Sequence, residues 1–251
     1  MFKLLSLIFC SIILQLPAYG LPAHTGKENG TGKLADRSEL YTGKEYSNAF
    51  ANPKDTALPN VLLIGDSISI GYTVDVRKKL RGKADVFRIP ANAMYASFGE
   101  KKLKEWLGKR KWDVIHFNWG LWDICYRNPD SKNPGHRDKV KGQVTATPEQ
   151  YEKSIKNIVN QLKKTNAKLI WCTTTPVPEF EPGRRQGEEI KYNKIAAKIM
   201  KDNNIEINDL HSYALLKLPG IKLIKGDVHF TPEGYTYLAK KVADSIENSI
   251  N

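Results

Sequence analysis

The chain has 251 residues, 41% of them apolar, enough to bury one sizeable core and too few for several. Its net charge is +12, yet the lysines are scattered along helix faces and form no basic stripe with interleaved aromatics, which argues against nucleic acid as a partner. No Cys/His cluster has metal-ligand spacing and no glycine-rich dinucleotide fingerprint follows a strand, so no metal and no cofactor is expected.

Residues 1–20 have the layout of a secretory signal: Lys3, an apolar run from Leu4 to Leu16, and the small-x-small site Ala18-Tyr19-Gly20. The run is short for a membrane span. An uncleaved anchor is the alternative; with cleavage, the product is secreted or periplasmic and free of the membrane. Residues 21–58 are polar and lack periodicity, as expected of an extended arm. One domain is expected over 59–251. The two cysteines beyond the signal, Cys125 and Cys172, are compatible with a disulfide in an exported protein or with two buried thiols.

Val61 to Ile64, after Asn60, is an apolar run of four that ends in Gly65-Asp66-Ser67, the pattern of a buried parallel strand opening into a turn. Tyr72 to Leu80 has helical spacing and stops at Gly82. Ala84–Pro90 predicts strand two, Glu100–Leu107 a short helix, and Trp112–Gly120 strand three. A polar loop through Gly142 follows, placed to form a rim. Thr147-Pro148-Glu149-Gln150 carries an N-cap, a proline at N1 and a capping-box glutamine. Lys168–Thr175 is strand four, Glu188–Asn203 a helix and Ile205–Leu210 strand five. Thr231-Pro232-Glu233 opens a last helix that runs to about Ile250. Strand and helix alternate five times, which predicts an α/β protein with a parallel sheet covered on both faces.

Ser67 therefore sits at the carboxyl edge of a parallel sheet, where open α/β folds place their chemistry. A serine hydroxyl needs a base, and the base needs an orienting group. His229, just before the last helix, is the candidate base. His24 and His136 lie in polar segments, His211 follows strand five, and His116 shares a strand face with Val114 and is expected between helix and sheet.

Gly65-Asp66-Ser67 together with Asp227-Val228-His229-Phe230-Thr231-Pro232 resembles the SGNH/GDSL hydrolase superfamily from about Asn60 to the C-terminus. That resemblance implies a three-layer α/β/α sandwich, a flavodoxin-like five-stranded sheet of order 2-1-3-4-5, and ester hydrolysis through Ser67, His229 and Asp227. Two departures stand out. The acid usually precedes the histidine by three positions, where this chain has Gly226; Asp227 or a backbone carbonyl is then left to orient His229. The oxyanion block Gly-x-Asn-Asp is matched by Gly120-Leu121-Trp122-Asp123, so Trp122 replaces the asparagine donor. Asn92, Ala93 and Asn118 are the candidate substitutes, and Asp123 is expected to accept a structural hydrogen bond. Trp119 and Trp122 are the candidates for stacking on a sugar, whereas Trp106, Trp112 and Trp171 are expected in the core.

These readings predict an exported serine esterase acting on a small-molecule or polysaccharide ester, with carbohydrate O-acetyl groups favoured and the oligomeric state open. An O-acyltransferase on glycans and an inactive glycan-binding protein of the same fold are the rivals. Gly65-Asp66-Ser67-Ile68-Ser69 is not a Gly-x-Ser-x-Gly elbow, which argues against an α/β-hydrolase lipase.

Overall fold

The computed structural model describes residues 43–218, 220–221 and 226–250. The signal segment 1–20, residues 21–42 of the polar arm and His24 lie outside the described residues. In chain order the elements are α1 (Ser47–Phe50), β1 (Asn60–Ile64), α2 (Ser67–Lys79), β2 (Asp85–Arg88), α3 (Ala96–Leu107), β3 (Val114–Phe117), β4 (Tyr126–Arg127), β5 (Gln143–Val144), α4 (Pro148–Lys163), β6 (Lys168–Cys172), α5 (Glu188–Asp202), β7 (Glu206–Asn208), α6 (Leu210–Leu215) and α7 (Pro232–Ile250).

Five strands form one parallel sheet in the order β2-β1-β3-β6-β7, while β4 and β5 pair as a separate antiparallel ribbon. Counted within the main sheet alone, the order is 2-1-3-4-5, as the resemblance implies. The α2 and α7 helices pack against each other, and α3, α4 and α5 pack in series, giving helical layers on the two faces. Val61 to Ile64, Val114, Ile115 and Phe117 are all buried, as expected of strands covered on both sides. His116 is fully buried; its ring lies edge-on to Tyr72 and its Nε2 faces Asn208 Nδ2 at 3.1 Å. Trp106, Trp112 and Trp171 are core residues.

Two helices begin earlier than their periodicity predicts. The α2 helix starts at Ser67 because Asp66 caps it, its Oδ1 accepting from the Ile68 N–H at 3.0 Å. Ile68, Ile70 and Tyr72 of its first turns are all buried, so an amphipathic pattern is absent there. The α3 helix starts at Ala96 because the Ala96 N–H is taken by Asp123 Oδ1, 27 residues on, at 2.9 Å. That carboxyl is a structural acceptor. The α4 start is as its sequence predicts: Thr147 Oγ1 accepts from the Gln150 N–H, and Gln150 Oε1 from the Thr147 N–H.

The segment after β3 is an ordered lobe. Tyr126 N–H donates to Gly183 O and Lys139 N–H to Pro182 O, which ties the β4–β5 ribbon to residues 180–185. Inside this joint Glu181 is fully buried and receives Arg184 at 2.8 Å and Arg137 at 3.2 Å. Cys125 and Cys172 are both buried and form no disulfide with each other, which decides between the two alternatives left by their spacing. Among the described residues no helix is long and apolar enough to cross a membrane.

Candidate active site

The β1 strand delivers the site. Its last residue, Ile64, pairs with Phe117 of β3, and the chain then turns through Gly65 and Asp66 into α2. Gly65 is needed there, since a Cβ would stand 2.9 Å from the Ser69 side chain. Ser67 becomes the first residue of α2, 4% exposed. Its N–H belongs to the first helical turn, where backbone donors lack acceptors within the helix.

Ser67 Oγ lies 2.9 Å from His229 Nε2, across 162 residues of sequence. His229 Nδ1 lies 2.6 Å from Asp227 Oδ1, which also accepts the His229 backbone N–H at 2.8 Å. The one-residue spacing works because the acid closes a local turn on its own histidine, a habit of aspartate. Gly226, at the position where the resemblance places the acid, has φ 80°. A Cβ there would sit 2.9 Å from Phe180 O, so glycine is what lets the chain turn sharply enough. Burial pushes the Asp227 carboxyl up, but the hydrogen bond and charge of His229, with Arg137 farther off, overcome it and hold the group at about 2. Asp227 is thus charged at any working pH.

A hydroxyl facing one imidazole nitrogen and a carboxylate facing the other is the arrangement that makes serine a nucleophile: the ring takes the proton and the carboxylate steadies the resulting charge. Beneath it lies a residue that sequence reading passed over. Arg88, at the end of β2 and 5% exposed, donates through Nη2 to Gly65 O (2.8 Å), Asp66 O (3.1 Å) and Ser69 Oγ (2.6 Å), and through Nη1 to Ala91 O (2.8 Å) and Ile89 O (3.1 Å). One guanidinium therefore holds the turn before Ser67 against the loop that carries Asn92. Its five donors suit this clamp. Burial lowers its pKa to about 9, which leaves it charged at neutral pH. Its charge, in a strand that also carries Asp85, did not mark it out.

The oxyanion candidates separate. Asn92 is buried, and its Oδ1 accepts from the Met94 N–H at 2.9 Å, which fixes the side chain at the end of β2. Ala93 is turned to structure: its N–H donates to Gly65 O at 3.0 Å and its carbonyl accepts from Trp119 Nε1 at 3.1 Å. Asn118 likewise spends its amide on Cys172 O (2.7 Å) and Thr174 Oγ1 (3.3 Å). Neither of these two presents a donor to a substrate. The stacking expectation is also corrected. Trp119 is fully buried, its ring filling the space beside Gly99, where a Cβ would stand 2.3 Å from it. Trp122 is 3% exposed, with the Arg127 guanidinium 4.8 Å above its ring. Neither ring has a face for a sugar.

No protein-family model matches the chain, and no curated protein does. Solved structures do match. An acetyl xylan esterase, AlAXEase, superposes with a TM-score of 0.60 at 21% identity, over 74% of this chain and 99% of that one. A lipase/acylhydrolase from Enterococcus faecalis gives 0.62 at 16% identity, over 76% and 96%. The acetylxylan esterase Axe2 from Geobacillus stearothermophilus gives 0.58 at 18% identity, over 75% and 94%. This chain shares the fold of these esterases and acylhydrolases. On this framework Ser67 follows the first strand of the sheet and His229 precedes the last helix, while the block Gly120–Asp123 is given over to structure.

Proposed function

We propose that this protein is a serine esterase of SGNH/GDSL type, with Ser67 as nucleophile, His229 as general base and Asp227 as its orienting acid. The observation that carries the reading is the continuous chain from Ser67 Oγ through both nitrogens of His229 to the Asp227 carboxylate, at 2.9 and 2.6 Å. Ser67 Oγ attacks the ester carbonyl carbon and its proton passes to His229 Nε2. The Ser67 N–H and the Asn92 side-chain amide receive the oxyanion. The tetrahedral intermediate collapses as His229 returns the proton to the departing alkoxide, leaving an acyl-serine. Water, deprotonated by His229, then attacks the acyl carbon, and Ser67 is released with the carboxylic acid.

The finer reading is a carbohydrate O-acetyl esterase. Two of the matched structures are acetylxylan esterases by name; the buried Trp119 and Trp122 lend it no support. The signal-like residues 1–20 support export, checked by finding the N-terminus of the mature protein near residue 21. An O-acyltransferase would share the acyl-serine, and a glycan-binding protein would not need the aligned serine, histidine and aspartate.

The test is hydrolysis of p-nitrophenyl acetate by the wild type, Ser67→Ala and His229→Ala. Activity lost in both variants supports the esterase. Turnover unchanged in Ser67→Ala refutes it, and no turnover by the wild type of this ester or of any acetylated sugar directs attention to the transferase or the binding protein.

A further inference from the structure

The amino edge of the sheet, opposite the edge that carries Ser67, is where the helices return to the strands. The turn from α3 to β3 reads Gly108-Lys109-Arg110-Lys111, and the chain from α4 to β6 reads Lys164-Thr165-Asn166-Ala167. Because β3 and β6 are neighbours in the sheet, the two turns lie side by side. They border a hollow of about 390 Å³, within the ordinary range of ligand sites. Its lining holds four cations, Lys104, Lys109, Arg110 and Lys164, and among the described residues no acid. Lysines that look scattered in the sequence thus converge in space. Of the four, only Arg110 has an acidic partner among the described residues, Asp55 at 2.9 Å. The same guanidinium donates to Asn60 Oδ1 at 3.2 Å and lies 4.2 Å from the Phe87 ring centroid, which holds it in place. Against the four positive charges stand Asp55 and the carbonyl ends of α3 and α4, about half a charge each, so about two charges stay uncompensated. Like charges gathered in this way repel one another, and an anionic guest relieves that cost.

We propose that this hollow is a second binding site, separate from the active site, and that its guest is an acidic polysaccharide, a chain bearing sugar carboxylates. The inference does not rest on the esterase reading. The five-residue strand β1 separates the hollow from the nucleophile turn by about 15 Å, so a guest held there does not touch Ser67. The lining decides the chemistry. Its three lysines are point charges on flexible stems, drawn from two helix ends and a turn, and suit charges spaced along a chain. A lone phosphate is better met by rigid, forked donors. Gln161 lies among these lysines; its Nε2 is spent on Glu100 O at 3.3 Å, which leaves the side-chain oxygen to accept from a hydroxyl. Carboxylates and hydroxyls on one chain answer both sets of groups. Trp112 is 7% exposed and spends its Nε1 on Leu107 O at 3.0 Å, so it offers no face on which a nucleic-acid base could stack. None of the exposed large apolar side chains of the described residues lines the hollow, as insertion into an anionic membrane surface would need. A polymer bound at the amino edge keeps the protein on an acidic matrix and leaves the carboxyl edge open.

The test is calorimetric titration of the full chain with polygalacturonate at about 50 mM salt, where exposed charges still act over more than about 10 Å. Two double variants are compared with the wild type. Lys109→Glu with Lys164→Glu reverses two cations of the hollow, and Lys191→Glu with Lys194→Glu reverses two lysines of α5 that lie outside it. Both pairs change the net charge equally, and all four positions are exposed, so each variant should melt within a few degrees of the wild type. The first pair should weaken binding at least about tenfold and the second less than about threefold. Equal losses in the two pairs overturn the proposal, since the attraction would then belong to the net charge alone. Absence of binding by the wild type overturns it as well. Polyglutamate of matched charge, which carries carboxylates without hydroxyls, should bind more weakly than polygalacturonate, and Gln161→Ala should narrow that preference by about fivefold, the loss of one hydrogen bond. Equal binding of the two polymers by the wild type, or tighter binding of oligothymidylate, overturns the choice of a polysaccharide.

Discussion

Asp227→Asn probes the bond that the spacing of this chain made most unusual. Holding the Asp227 carboxyl at about 2 in place of 3.8 corresponds to about 2 kcal/mol of attraction, after a discount for its partial exposure to water. The same attraction favours the imidazolium that forms on His229 as Ser67 loses its proton. Removing the charge alone should therefore lower the rate about 30-fold. The amide adds a second penalty, because an NH2 turned toward Nδ1 holds the proton on Nε2, where the ring needs its lone pair; that error costs up to about 10⁴-fold in serine hydrolases. The expected result is a fall in kcat on p-nitrophenyl acetate between these two values, with KM little changed and the melting temperature within a few degrees of the wild type. A loss below about threefold in a folded variant would refute the reasoning. The chain would then orient His229 by some other group.

Further outcomes follow from the same geometry. Asn92→Ala should cost about a hundredfold or more in kcat, the loss of one oxyanion donor, whereas Asn118→Ala should chiefly lower stability, since its amide serves Cys172 O and Thr174 Oγ1; a fall in kcat in the second variant alone would reverse the assignment. Arg88→Met takes one donor from each of four carbonyls of the nucleophile turn and its neighbouring loop, of which Gly65 O and Asp66 O keep others, and should remove about 3 kcal/mol, lowering the melting temperature by about 6–12 °C. Asp123, pushed up to about 8 by burial, keeps in the folded state a proton that the unfolded chain releases near 3.8, so stability falls as pH rises through this interval. Below pH 6.5 the slope is opposed by His116, which burial keeps neutral down to about 3. Urea unfolding should thus show a loss of about 2 kcal/mol between pH 6.5 and 8, and Asp123→Asn should abolish it. With Cys125 and Cys172 buried and not joined to each other, dithiothreitol should leave the melting temperature unchanged; a drop would reveal a disulfide.

The sheet was legible because its signal is local. Runs such as Val61–Ile64 and Ile170–Cys172 are apolar on both faces, and the turn residues that bound them sit next to them in sequence. Ser67 and His229 were legible for the same reason, each lying beside a recognisable element end. What escaped depends on partners far along the chain. The α3 start is set by Asp123, and the burial of Trp119 by Gly99, twenty positions away, whose missing side chain makes room for the indole. Arg88 looked like one more strand residue, because nothing in the sequence near it shows the carbonyls of Gly65 and Asp66 that it binds.

The altered block Gly120–Asp123 is bound up with both of these features. In this chain the block and the residue before it are tied to three segments: Trp119 O accepts from Tyr151 of α4 at 2.9 Å, Leu121 O from Arg184 at 2.6 Å, and Asp123 Oδ1 from the start of α3. Trp122 is sealed beneath Arg127. Residues held in this way have no side chain left to offer a substrate, which is why our proposal takes the oxyanion donors from the Ser67 N–H and the β2 loop. There Arg88 binds the nucleophile turn and the Asn92 loop into one unit. The buried guanidinium and the tryptophan then belong to one design. With the block after β3 held in structure, our proposal leaves the positioning of donors to the β2 loop, and a buried guanidinium clamp is a means of holding that loop to the tolerance that such donors require.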